Sequence, residues 1–321
     1  MRRLRPYLPW LAFALGVALV RLVVANNYYY TLINFIGIHA LLVVGLNLLM
    51  GYAGQISLGH AAFFGLGAYS SGILTATYGA NPWLALAAGL VVAGVAAFLI
   101  GVPALKLKGY YLAMATLGFG IIVYITLVQA QSLTGGPSGL SGIPCLTLFG
   151  LPLDTPARLY LLIWPLVGLV LLLSANLVDS RLGRALRALH DSEAAAQSLG
   201  VDTARAKLTI FIWSALYAAL AGSFYAHALN FIAPASFGFM FSIKLVTMVV
   251  VGGMASIWGS LLGATVLTIL PELLVVFHDY EIITRMAILP QVMILYSREM
   301  VRSPVDLWAR AAERRVGDQG S

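Results

Sequence analysis

The sequence predicts an all-α, polytopic integral membrane protein with about ten transmembrane helices, some of them interrupted. Three observations lead there. Hydrophobic residues fill 60% of the 321 positions without counting 32 glycines, whereas soluble domains reach about 45–50% apolar with glycine included. Charged residues make up only 10%, where about 25% is usual, and mean hydropathy is +0.91. The apolar residues also gather in runs close to the ~20 needed to cross a bilayer. Such a composition excludes a soluble globular enzyme. It also excludes disorder, which needs low hydrophobicity and high charge. Cys145 is the only cysteine, so neither an internal disulfide nor a cysteine zinc cluster is available.

The first element is the run Leu8–Val24, preceded by Met1-Arg2-Arg3-Leu4-Arg5. A cleaved signal peptide has this shape. Arg21 interrupts its apolar region, however, and the rest of the chain is equally apolar, so the expectation is an uncleaved first crossing. The later runs are Thr31–Met50, Ala53–Tyr78, Trp83–Pro103, Tyr110–Ala130, Leu159–Val178, Leu208–Leu229, Phe241–Val251, Trp258–Phe277 and Ile282–Tyr296. Phe241–Val251 is short, and the last run is short and carries Arg285 and Pro290. One membrane domain, 1–297, is expected, with a polar tail over 298–321 and a polar loop over 179–207.

The net charge of +7 does not point to nucleic acid, because the basic residues cluster between apolar runs. They act as topology signals. Ten crossings from a cytoplasmic N-terminus place Arg2, Arg3, Arg5, Lys106 and Lys108 inside. Arg181, Arg184, Arg187, Arg205, Lys207 and the arginines from Arg298 to Arg315 join them. Only Arg21, Arg158, Lys244 and Arg285 fall at outer ends, and Gln131–Ala157 holds no basic residue. Both termini are therefore expected in the cytoplasm.

Two stretches carry candidate function. In 179–207, Leu182, Leu186 and Leu189 form one helical stripe. Asp191 or Ser192 can cap a new helix with Glu193 in its first turn. Ala194-Ala195-Ala196-Gln197-Ser198-Leu199 continues that helix, Gly200 ends it, and Asp202 or Thr203 caps the next. A capped helix with a small alanine face is expected to dock a cytoplasmic partner. In Gly51–Tyr78, six glycines accompany Gln55, Ser57 and His60 at membrane depth. Small residues such as Ala61/Gly65 and Gly67/Ser71 let helices approach closely. The polar trio must face other helices or a water-filled path, because unpaired polar groups in hydrocarbon cost several kcal/mol. A comparable stretch, Gly252–Gly259, hints that two interrupted helices meet near that path.

No catalytic constellation is present in the sequence. His39, His60, His190, His227 and His278 lack metal-ligand spacing, there is no phosphate-binding G-x-x-x-x-G-K, and no GxSxG. Carboxylates are nearly missing from the crossings, which argues against a proton-coupled secondary transporter. The driving energy for any transport is supplied elsewhere.

Several strings together carry a resemblance: GLNLLMGYAGQISLGHAAFFGLGAY, KLKGYYLAMATLGFG, LTGGPSGLSGIP, SRLGRALRALHDSEAAAQSLGVDTARAK and VVVGGMASIWGSLLGATVL. In this order, over about Leu46–Leu274, they resemble the permease family of high-affinity branched-chain amino acid ABC transporters. The LTGGPSGLSGIP loop is similar to that of LivM-type subunits rather than LivH-type ones. The resemblance implies an ABC importer permease fold in the bacterial inner (plasma) membrane, carrying Leu, Ile and Val inward. It implies a LivH-like second permease, two cytoplasmic ATPase subunits and a periplasmic binding protein as partners, besides membrane lipid. ATP and Mg would be bound by the ATPases, leaving this chain without cofactor, metal or catalytic residue. Glu193, Ala194, Ala195 and Gly200 would belong to the ATPase-coupling loop, with one residue more before Gly200 than the EAA-x3-G pattern of ABC importers. Related permeases import urea and short amides, and the transit path separates these poorly because the binding protein selects the ligand.

Overall fold

Short polar side chains decide where the helices begin. In the computed structural model, which describes residues 8–24, 26–148 and 151–275, Asn26 accepts from the Tyr28 N–H at 3.0 Å and opens a long helix. Asn81, followed by Pro82, opens another, and Thr155, followed by Pro156, a third. A side-chain oxygen satisfies an orphan N–H of the first turn, and a proline there loses no bond it would have made.

The helices are α1 (Leu8–Val23), α2 (Asn27–Asn47), α3 (His60–Ala76), α4 (Pro82–Ala104), α5 (Tyr110–Gln129) and the single turn α6 (Gln131–Thr134). They continue as α7 (Pro156–Asp179), α8 (Arg181–Asp191), α9 (Glu193–Ser198), α10 (Thr203–Leu229), α11 (Phe239–Gly252) and α12 (Ile257–Val275). A π-helical turn, Leu48–Tyr52, prolongs α2. Two small ladders lie in the connections: β1 (Leu140–Ser141) pairs antiparallel with β4 (Phe231–Ile232), and β2 (Thr147–Leu148) with β3 (Leu151–Pro152). The chain divides into two compact units, Met1–Thr268 and Ile269–Ser321. Of the second, only the end of α12 lies among the described residues.

Five stretches are long and apolar enough to cross a membrane: 27–52, and α4, α5, α7 and α10. The expected ten or so crossings, interrupted ones included, are not reached among the described residues. The run at Ala53–Tyr78 is broken, since residues 54–59 are not helical and α3 starts only at His60. Helix α11 has 14 residues, about 21 Å at 1.5 Å per residue, short of a ~30 Å hydrocarbon core. The run Ile282–Tyr296 and the tail 298–321 lie outside the described residues.

Helix α10 runs through the centre, packed on α2, α3 and α4. Where α3 crosses α10, backbone touches backbone. A Cβ on Gly67 would collide with the Ala219 carbonyl, and one on Gly222 with the Phe64 carbonyl. The Ser223 hydroxyl donates to the Gly67 carbonyl at 3.2 Å across the same crossing. Burial then sorts the helices. Within the most apolar windows, 83% of the α2 stretch and 61% of α10 is buried, against 28–33% of α4, α5 and α7. Val91, Phe98 and Leu99 on α4 and Ile121, Ile122 and Ile125 on α5 are exposed. An apolar face that wide fits lipid or a partner rather than water.

The connections gather at two ends. At one, Lys108 between α4 and α5 reaches Glu193 at 3.1 Å, His190 lies against Gly54, and Gly51 lies against Ala255 between α11 and α12. At the other, Trp83 Nε1 donates to the Thr147 carbonyl at 2.7 Å, Asn230 to Ile143 at 2.7 Å, and Asn34 to Pro156 at 2.8 Å. Lys106, Lys108, Arg181, Arg184, Arg187, Arg205 and Lys207 all sit at the first, basic end. Among the described residues only Arg21, Arg158 and Lys244 are placed elsewhere.

Candidate functional site

The polar loop at the basic end is built as its residues suggest. Ser180 caps α8, accepting from the Leu182 and Gly183 N–H groups. Leu186 and Leu189 are buried and Leu182 is half-buried, so the predicted stripe faces the bundle. Of the two candidate caps for α9, Ser192 is the one that acts. Its backbone is extended and its hydroxyl accepts from Ala195 N at 3.3 Å. Asp191 belongs to α8. The far end closes with two bonds, Gly200 N to Gln197 O at 2.9 Å and Val201 N to Ala196 O at 3.0 Å. This Schellman arrangement needs a left-handed residue, and Gly200 has φ +81° with open space around it. Glycine is there for its φ, not for room. Asp202, rather than Thr203, caps α10 by accepting from Arg205 N at 3.0 Å.

Helix α9 buries Ala196 and exposes Ala194 and Ala195, and Leu199 beside them is 80% exposed. It is held from the inner side by Glu193. Lys207 Nζ donates to Oε1 at 2.6 Å and Lys108 Nζ lies 3.1 Å from Oε2. The Lys207 side chain is 4% exposed and that of Lys108 73%, so one lysine anchors from the core and one from the surface. Desolvation alone would raise the Glu193 carboxyl. The hydrogen bonds and charges of Lys207 and Lys108 outweigh it and hold the group below the usual carboxylate range.

The polar trio divides. Ser57 and His60 are buried, whereas Gln55 is half-buried and donates locally to the Ala53 carbonyl at 3.1 Å. Around Ser57 and His60, α5 and α11 supply caps: Thr116 accepts from Leu58 N at 3.0 Å, and Ser242 accepts from Ala61 N at 3.2 Å. Ser214 spends its hydroxyl proton on the Gly45 carbonyl at 2.7 Å and lies 3.5 Å from His60 Nε2. In the neutral ring Nε2 therefore carries the proton, leaving Nδ1 as an acceptor. His60 Nδ1 and Ser57 Oγ have no hydrogen-bond partner among the described residues. Each is a buried polar atom, one in the break before α3 and one at the start of α3.

Three functional groups are not visible as such in the sequence. Lys108 and Lys207 are legible there only as topology signals. Asn47, inside an apparently plain apolar run, clamps the break between α11 and α12. Its Nδ2 donates to Ser256 O at 2.8 Å and Ser260 Oγ at 2.7 Å, while Oδ1 accepts from Ala255 N at 3.0 Å. It holds Ala255 at φ +57°, a conformation a residue with a Cβ rarely adopts. The two interrupted stretches therefore do meet, Gly51 against Ala255. A signal for Asn47 exists: a lone asparagine in an apolar run must find partners.

A helical bundle with an apolar periphery, an interrupted polar-lined core and a capped helix presented at its basic end defines a membrane permease architecture. The chain belongs to the family of branched-chain amino acid transport system permease components, whose sequence profile matches residues 28–297. It is 38% identical over 269 residues to the high-affinity branched-chain amino acid transport system permease protein LivM of Escherichia coli K12, and equally to that of Salmonella typhimurium LT2. These matches cover 77% of this chain, and the chain spans 63% of the length of those relatives. LivH of Escherichia coli K12 is 29% identical over 249 residues, covering 72% of this chain and 80% of LivH. No solved structure gives a significant match.

Proposed function

We propose that the chain is the LivM-type permease subunit of a binding-protein-dependent ABC importer, moving leucine, isoleucine and valine into the cytoplasm. Its partners are a LivH-like second permease, two cytoplasmic ATPases that bind ATP and Mg, and a periplasmic binding protein. The observation that carries this reading is α9. A six-residue helix, capped at both ends and tied by Glu193, presents Ala194, Ala195 and Leu199 outward, a surface shaped to seat in a partner's groove. The basic end is then cytoplasmic by the positive-inside bias, in a bacterial inner membrane crossed about ten times with both termini inside. Reporter fusions after Gly109 and Gly142 will give opposite signals, and equal signals would overturn this topology.

Coupling follows from sterics. Ala195→Trp will leave membrane insertion intact but uncouple ATP hydrolysis from transport, because a seated helix has no room for added volume. Normal uptake by this variant in the complete complex would remove α9 from the docking role.

The path is read at Ser57 and His60, whose open polar atoms a passing amino acid can engage, with Gln55 nearer the basic end. The complete complex will accumulate leucine with ATP. His60→Ala and Ser57→Ala will lower the maximal rate with little change in apparent affinity, since capture belongs to the binding protein. A strain deleted for this chain that keeps leucine uptake and loses growth on urea would replace the substrate by the urea and short-amide class.

A further inference from the structure

Helix α7 packs on α2 and leaves one stripe uncovered. Leu169, Leu172 and Leu173 are 42–50% exposed, and the exposed polar residues Asn176 and Asp179 continue the stripe to the end of the helix. Positions spaced by three and four share a helix face. At 1.5 Å per residue, Asn176 stands about 10 Å beyond Leu169. Along the stripe the surface changes from aliphatic to amide to charged. A phospholipid changes in the same order, from acyl chain to ester to phosphate.

Three exposed arginines follow on α8: Arg181, Arg184 and Arg187. Arg184 Nη1 donates to the Asp179 carbonyl and Arg187 Nη2 to the Val178 carbonyl, each at 3.2 Å. Both guanidiniums are thus folded back onto the last turn of α7, at the depth where a crossing helix leaves the hydrocarbon. Each spends one of its five N–H donors there. No carboxylate among the described residues lies within ion-pairing distance of any of the three arginines, whereas Lys108, Arg158, Arg205 and Lys207 each have an acidic partner. Val178 is buried, and Arg187 stands within electrostatic range of Tyr52, so Arg187 serves the bundle side. Arg184 bonds at the end of the uncovered stripe, and Arg181 flanks it on the side away from Arg187. Two guanidiniums therefore face that stripe against one carboxylate, Asp179. Arginine matches phosphate geometry and is weakly hydrated, and basic residues next to a crossing attract anionic headgroups.

We infer that the α7–α8 corner binds an anionic phospholipid, its phosphate between Arg181 and Arg184 and an acyl chain along Leu169, Leu172 and Leu173. This rests on the reading of the chain as a permease whose α7 crosses the bilayer. The test uses the complete complex in nanodiscs of equal parts phosphatidylcholine and phosphatidylglycerol. Photoreactive p-benzoylphenylalanine replaces Leu173 or, as the reference, the exposed Val91 of α4, and mass spectrometry identifies the adducts formed on illumination. One net positive charge favours the anionic lipid about fivefold, so the ratio of phosphatidylglycerol to phosphatidylcholine adducts at Leu173 will exceed that at Val91 by this factor. Arg184→Gln will remove the excess, Arg184→Lys will keep most of it, and Asp179→Asn will raise it about fivefold more. Total adduct yield at Leu173 will not change in these variants, because α7 keeps its place against lipid. Equal ratios at Leu173 and Val91, or an excess that survives Arg184→Gln, would overturn the site. Adducts at Leu173 with a protein subunit in place of lipid, or an excess seen only once the ATPases are removed, would make the corner a subunit interface and overturn it equally. A complex that shows the excess but accumulates no leucine with ATP would instead overturn the transport reading and leave the lipid site standing.

Discussion

Replacing Gly222 with valine will prevent the bundle from forming. At the α3–α10 crossing a Cβ on Gly222 would overlap the Phe64 carbonyl and press on Ala68 N at 2.8 Å. Both are backbone atoms and cannot rotate aside. Separating the two helices would open the centre of the core, where Phe64, Ala68, Ala218 and Ala221 are almost fully buried. Overpacking into side chains costs about 1–3 kcal/mol, occasionally more, and a backbone clash belongs at or beyond the upper end. Gly118→Ala is the matched control, since a Cβ there meets nothing within 4 Å. Size-exclusion profiles of the detergent-extracted variants check this. If Gly222→Val elutes as a single species like Gly118→Ala, the tight crossing is not what holds α3 to α10.

Removing the Glu193 carboxylate will loosen the loop at the basic end. Glu193→Ala strands Lys207, whose side chain is 4% exposed, and a buried charge left without its partner costs about 3 kcal/mol. That corresponds to roughly a hundredfold rise in the open population of the loop. It reads out as faster tryptic cleavage after Arg184 and Arg187 in inside-out vesicles. The Glu193→Ala/Lys207→Met double variant will regain most of the protection, because a methionine needs no counter-charge. Equal protection of Glu193→Ala and the parent chain would show that the pair does not anchor α9. The pH dependence has a definite sign. The folded carboxyl lies below its ordinary value of 4.5, so its contribution is complete above about pH 4.5 and disappears as pH falls through the folded value.

Much of the loop is legible in the sequence because its signals are local. Capping residues, the leucine stripe and Gly200 act within a few residues of where they stand. The choices between Asp191 and Ser192, and between Asp202 and Thr203, stay open at that level. The fold selects Ser192 because Asp191 completes the last turn of α8. It selects Asp202 because Thr203 is already helical, and its hydroxyl accepts from Gln197 Nε2 at 2.9 Å. The trio Gln55, Ser57 and His60 is less legible. Residues 54–59 are not helical, so helical spacing says nothing about which of the three point inward together.

Composition, run length and the placement of lysine and arginine determined, by themselves, that this chain is a bundle of apolar helices with one basic end. Each of those properties is a sum over neighbouring residues, and solvent reads it without reference to the rest of the chain. Only the tertiary structure decided that Asn47 holds Ala255, 208 positions away, and that Lys108 and Lys207 converge on Glu193. It also decided that Ser57 and His60, but not Gln55, are buried. Hydrogen-bond pairs in a membrane interior are selected by which helices pack side by side, and that packing is set by glycine contacts far apart in sequence.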